Sequence, residues 1–220
     1  MGKIHKVDKI EYLITIDVDW EPDQVIGDVL KTLINNHTKA TWFITNNSPI
    51  INKICEYPDL FEVGIHPNFC DGSTQGETPR QVMEYLKEII PNAKSVRTHR
   101  LVQSSDLLKM MREEYGIMYD VSILLSKSPH IIPYKFYFEK ERFITRIPYF
   151  WEDDVELFDP DKCFDLYNEK YHICGLKIFN FHPKIIKESR PVNLFFKELA
   201  EFLQSKGGTI RDIGEEFNIG

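Results

Sequence analysis

The chain has 220 residues, 42% hydrophobic and 28% charged, a globular balance that excludes a disordered chain. Its 27 basic against 34 acidic side chains leave a formal charge of −7, which argues against nucleic acid or an anionic membrane as the main partner. No apolar run approaches the roughly 18 residues of a membrane span. Residues 1–13 lack the apolar core of a secretory signal, and Cys55, Cys70, Cys163 and Cys174 form no CxxC pair and read as reduced thiols. A single cytoplasmic domain over residues 1–220 is expected.

Strand-like and helix-like segments alternate from the start. Residues 11–17 (EYLITID) are rich in β-branched and aromatic side chains and read as a first strand. Residues 22–36 read as a helix with Val25, Ile26, Val29, Leu30, Leu33 and Ile34 on one face. A second strand over 39–44 (KATWFI), a short helix over 49–56 and a third strand over 61–66 (FEVGIH) follow, before a loop marked by Pro67, Gly72 and Gly76. Thr78 caps a helix with Pro79 at its first position, running to about residue 90. Residues 95–98 form a short strand, Ser104 or Ser105 caps a helix ending near Gly116, and 117–121 and 143–147 are further strands. The stretch 126–142 is the least regular, and its prolines and aromatics suggest a loop over one face. Residues 164–170 have a weak helical pattern, 176–181 (LKIFNF) form a late buried strand, and 193–204 a last helix stopped by Gly207 and Gly208. This βα repeat, without a linker or composition break, predicts an α/β fold, an irregular (β/α) barrel of about seven strands.

In such folds chemistry sits at the C-terminal ends of the strands. Asp17 and Asp19 close the first strand at i and i+2, on the same side. Two carboxylates so close repel, and a bound cation or one raised pKa resolves this; a solvated pair is the bland alternative. His66 and His182 each close a strand directly before a proline, and each is either a metal ligand or a packed histidine. Arg97 and His99 end the fourth strand, and Trp151, Glu152, Asp153 and Asp154 form an acidic run that alone would be a solvated loop. Such residues at four separate strand ends would require several independent coincidences if none had a task.

Together these residues resemble the five ordered motifs of the polysaccharide-deacetylase family, the NodB-homology or carbohydrate esterase family four. The resemblance runs from Thr15 to His182, and the GIHPNF and WEDD details resemble a branch found with O-antigen and surface-polysaccharide biosynthesis genes. It implies an irregular (β/α) barrel, Asp17 as general base, Asp19 and His66 as ligands of a divalent metal, and Arg97 orienting Asp17. It further implies Trp151 with Asp153 or Asp154 lining the pocket and tuning His182, the general acid. The aspartates are spaced here where the usual form has them adjacent, as in some branches. The family's second motif also carries another His four residues after the first, and Cys70 stands there. The third ligand is therefore His99, Cys70 or Asn68, with His99 preferred because it ends a neighbouring strand. Trp20, Trp151 and Asn68 are the candidate sugar contacts, while Trp42, inside a strand, reads as core. The implied activity is zinc-dependent removal of an acetyl group from an acetylated sugar, nucleotide sugar or lipid-linked oligosaccharide, with N- and O-deacetylation both open.

Two rivals stand beside it. A haloacid-dehalogenase-type phosphatase also begins with a strand ending in DxD, but Glu21 occupies the position where that pattern needs Thr or Val, and His66 and His182 are left without a role. A non-catalytic glycan-binding relative is kept open by the missing second histidine.

Overall fold

Continuous apolar runs, rather than alternating ones, mark strands covered on both faces. The computed structural model describes residues 10–219, so the reading of residues 1–9 lies outside the described residues. In chain order the elements are β1 (Ile10–Asp17), α1 (Asp23–Asn35), β2 (Ala40–Ile44), α2 (Pro49–Cys55), β3 (Phe61–Ile65), α3 (Pro79–Ile89), β4 (Ser95–Val96), α4 (Ser105–Glu113) and β5 (Tyr119–Asp120). Then come β6 (Tyr134–Glu139), β7 (Arg142–Arg146), β8 (Trp151–Glu152), α5 (Asp153–Phe158), β9 (Gly175–Phe181), α6 (Pro183–Glu188), α7 (Arg190–Phe202) and α8 (Ile210–Ile219).

The strands form one nine-stranded sheet in the order β6-β7-β5-β4-β3-β2-β1-β9-β8. Every pairing is parallel except that of β6 with β7. β7 and β8 lie far apart in this order, yet only residues 147–150 separate them in the chain. That run bonds to both sides. Ile147 N–H donates to Asp120 O at 2.8 Å, Tyr149 N–H to Ile123 O at 2.9 Å, and Phe150 N–H to Ile178 O at 3.0 Å. It carries the sheet from β5 round to β9, which curls it into an irregular (β/α) barrel. Pro148, with no N–H to give, sits within this run.

The strand count exceeds seven for two reasons. Residues 126–142, expected as a loop, contain β6, an antiparallel edge strand on β7. None of its side chains is buried, so it lacks the signature of a central strand. The barrel-closing run is also broken in two, and its second piece, β8, is only two residues long. Residues 164–170 do not form the expected helix. The Asp165 and Asn168 side chains accept from Tyr167 N–H at 2.9 Å and Lys170 N–H at 3.0 Å, competing with helical bonds, and only a single 3₁₀ turn forms at Glu169–His172.

Helices cover the sheet with their apolar faces. α1 buries Val25, Ile26, Val29, Leu30 and Leu33, and α3 starts with the full Thr78–Gln81 capping box. α7 begins earlier than expected, capped by Ser189, and buries Phe195 and Phe196. Phe195 lies 5.2 Å from the Trp151 ring and 5.8 Å from Phe179. Trp151 is 1% exposed and packed in this aromatic core. It offers no face to a sugar ring, which corrects the expectation that it is a substrate contact. No helix among the described residues is long and apolar enough to cross a membrane.

Candidate metal centre and catalytic cleft

Parallel strands that end side by side bring their last residues to one mouth. Asp19, His66 and His99 each place a ligand atom there, all within 4.8 Å of one another. Asp19 is not on the strand. It follows β1 in a left-handed turn with φ 45°, and Trp20 after it has φ 59°. This turn, not strand alternation, brings Asp19 into the cleft beside Asp17. Trp20 N–H donates to Thr45 Oγ1 at 3.0 Å, which holds the turn.

Asp19 Oδ1 lies 3.2 Å from His66 Nε2 and 3.3 Å from His99 Nδ1. His66 Nδ1 lies 2.7 Å from the Arg97 carbonyl oxygen. A carbonyl only accepts, so Nδ1 carries the proton and Nε2 presents its lone pair to the cleft. His99 Nδ1, 3.3 Å from His66 Nε2, is then the donor to that lone pair. Asp19 Oδ1 is thus left buried with no hydrogen bond, an expensive condition unless a cation satisfies it. Two imidazoles and one carboxylate are the donor types of catalytic zinc sites, so these residues fit a divalent ion.

Beside this group stands a buried polar network built on Arg97, whose Nε and Nη1 are bonded while its Nη2 makes no hydrogen bond. Arg97 is 0% exposed, and its guanidinium lies over the Phe43 and Tyr149 rings at 4.8 and 4.3 Å. Arg97 Nη1 donates to Asp17 Oδ1 at 3.1 Å, to Thr15 Oγ1 at 2.9 Å and to Asn180 Oδ1. Asn180 Nδ2 donates to Asp17 Oδ2 at 2.9 Å and to Glu152 Oε1 at 3.1 Å. Both oxygens of Asp17 are therefore held, one by a cation and one by an amide.

His182 follows β9 on the other wall. Its Nδ1 lies 2.6 Å from Asp153 Oδ1, and its backbone N–H donates to Asp153 Oδ2 at 2.8 Å. Its Nε2 faces the cleft, 3.9 Å from Asp17 Oδ2 and 3.6 Å from Asp19 Oδ2. Burial alone would depress the imidazolium, but Asp153, then Asp17 and Asp19, hold it well above its ordinary value. Burial pushes Asp153 and Glu152 upward. The Tyr149 hydroxyl donates to Glu152 Oε2 at 2.8 Å.

Asp17, Asp19, His66, His99 and His182 all open onto one cleft of about 310 Å³. Arg97 and Asp153 sit behind it and touch it through Asp17 and His182. Trp20 packs edge-on to His99 at 5.3 Å, so its contact is with the ligand group. Asn68 and Cys70 bond to each other, Cys70 N–H donating to Asn68 Oδ1 at 3.0 Å, and the Cys70 thiol joins none of the ligand groups among the described residues. Trp42 is core.

Sequence reasoning passed over Asn180 and Gln75, and gave Glu152 no role beyond its place in the acidic run. Asn180 lies between two phenylalanines in a buried strand, and its polar character was the signal, since a buried amide needs partners. Gln75 Nε2 donates to Thr45 O at 2.7 Å and His66 O at 3.1 Å, tying together the ends of β2 and β3.

A family profile described as WbmS-like polysaccharide deacetylase matches residues 14–191. Among solved structures, a protein from Bordetella bronchiseptica assigned as a polysaccharide deacetylase involved in O-antigen biosynthesis is 30% identical, with a TM-score of 0.70, over 86% of this chain and 79% of that one. A protein from Mycobacterium smegmatis assigned as a polysaccharide deacetylase is 18% identical, with a TM-score of 0.69, over 96% and 90%. A family 4 acetyl xylan esterase from Clostridium thermocellum, in complex with cobalt, is 15% identical, with a TM-score of 0.54, over 94% and 91%. The latter two share the fold. No curated protein sequence matches the chain.

Proposed function

This chain belongs to the WbmS-like polysaccharide deacetylase family, and from that premise we propose that it is a zinc-dependent deacetylase of an acetylated sugar carried on a nucleotide or a lipid-linked saccharide. One observation carries the reading. A group of three potential ligands, a clamped carboxylate and a carboxylate-backed imidazole share a single cleft. Asp19, His66 and His99 would hold a divalent ion, which would supply Lewis-acid chemistry at the acetyl carbonyl and at water.

The protein's own groups move the protons. Asp17 takes the proton of the attacking water, and Arg97 and Asn180 hold its two carboxylate oxygens in place. His182 gives a proton from Nε2 to the leaving amine or alcohol, while Asp153 fixes Nδ1 as the other protonated nitrogen. Each such transfer is worth about 10²–10⁴ in rate. All four cysteines are unpaired, which supports action in a reducing cytoplasm.

Acetate release from N-acetylated and O-acetylated sugars by the zinc-loaded protein tests the reading. Turnover is expected in the wild type, with a fall of about 10²–10⁴ in Asp17→Asn and His182→Ala. Full activity in Asp17→Asn would remove Asp17 from the role of base. Phosphate release without acetate would move the chain to another class of hydrolase.

A further inference from the structure

Asp17, Asp19 and the three imidazoles of the cleft have tasks in this reading, but the cation in its wall has none. Arg100 lines the cleft between His99 and Leu101. Asp17, Asp19, Glu152 and Asp154 line the same cleft. Even so, Arg100 makes no ion pair or hydrogen bond through its side chain among the described residues. Arg97 is the contrast, fully buried, with Nε and Nη1 bonded to Val121, Thr15, Asp17 and Asn180.

The guanidinium of Arg100 leaves from a fixed point. Arg100 has φ 55° and ψ 21°, and Leu101 has φ 56°, the left-handed region that side chains with a β-carbon disfavour. His99 N–H donates to Pro67 O at 2.9 Å and Leu101 N–H to Thr98 O at 3.0 Å, which pins the backbone on both sides. An exposed, planar, permanently charged fork suits a bidentate oxyanion. A neutral sugar has no need of it. An anionic one, entering a cleft with four carboxylates, would be repelled without it.

We propose that Arg100 binds an oxyanion carried by the substrate, so that the preferred substrate is an acetylated sugar bearing a carboxylate or a phosphate near the acetyl group. This rests on the deacetylase reading above. The two sources share one chemistry and are separated by the choice of substrate.

The test compares wild type, Arg100→Gln and Arg100→Lys, all zinc-loaded, on three acetylated sugars. These are neutral tri-N-acetylchitotriose, UDP-N-acetylglucosamine for phosphate, and N-acetylglucosaminuronic acid for carboxylate. Acetate release gives kcat/KM, and calorimetry gives binding of the same three. In the wild type an anionic sugar should be favoured over the neutral one by about 10- to 100-fold. That ratio should collapse in Arg100→Gln and survive in part in Arg100→Lys, and the anionic sugar that shows it identifies the source. A wild type with no anionic preference, or an equal fall on all three sugars, overturns the proposal. If no sugar releases acetate, the deacetylase reading fails, and calorimetry decides on Arg100 alone. Anionic binding lost in Arg100→Gln upholds the oxyanion site, and binding absent or unchanged overturns it.

Discussion

Arg97→Met should reveal how strongly the cleft depends on one buried cation. The methionine keeps much of the bulk between Phe43 and Tyr149 but removes the donors that Nη1 gives to Thr15, Asp17 and Asn180. Asp17, 2% exposed, loses its buried cation and keeps the Asn180 amide and the more distant His182 Nε2 at 3.9 Å. Breaking a buried pair by removing one partner costs about 3–5 kcal/mol. At about 2–4 °C per kcal/mol for a chain of this size, the melting temperature should fall by roughly 6–20 °C. In the Asp17→Asn background no charge is stranded, and the same substitution should cost about 2 kcal/mol less, within the coupling range of groups in one network. Urea denaturation of the four metal-free proteins completes the cycle. Additive effects, within about 0.5 kcal/mol, would refute the claim that Arg97 is there to hold the Asp17 carboxylate.

Three further outcomes follow from the same geometry. Asp153→Asn removes the carboxylate that holds the His182 imidazolium above its ordinary value; the acid form is then lost at lower pH, so the alkaline limb of the kcat/KM profile should move to lower pH while the acidic limb stays, and an unmoved alkaline limb would count against His182 as the acid. Asn180→Ala strips a donor from both Asp17 and Glu152, and kcat should fall by about 10- to 100-fold with metal content unchanged; loss of the metal instead would make Asn180 part of the ion's support. Trp151→Ala opens a cavity in the aromatic core and should cost about 3–5 kcal/mol in denaturation, with KM retained if the protein is assayed well below its melting temperature.

The strand ends were legible because chemistry and pattern change there together. Asp17, His66 and His182 each interrupt an apolar run at its last residues, and the sheet carries all three to one mouth. The third ligand was not legible. The sequence left His99, Cys70 and Asn68 as candidates and favoured His99 only for its place at a strand end; the 3₁₀ turn after β4, with its left-handed Arg100 and Leu101, sets the His99 ring beside Asp19. Trp151 was misjudged because an aromatic beside acidic residues reads alike whether it faces a sugar or a core. Its ring lies 5.1 Å from Phe181, and that contact depends on the pairing of β8 with β9, far along the chain. The barrel's closure was hidden for a related reason. A strand bent at Pro148 has no unbroken period to detect.

The central claim is that Asp19, His66 and His99 hold a divalent ion. Elemental analysis of the purified wild type, His66→Ala, His99→Ala and Cys70→Ala tests it most directly. About one zinc, or a similar divalent ion, per chain is expected in the wild type and in Cys70→Ala, and its loss is expected in His66→Ala and His99→Ala. A wild type that takes up no metal after reconstitution with zinc, cobalt or nickel would contradict the account, as would a protein that keeps its ion in His99→Ala and loses it in Cys70→Ala.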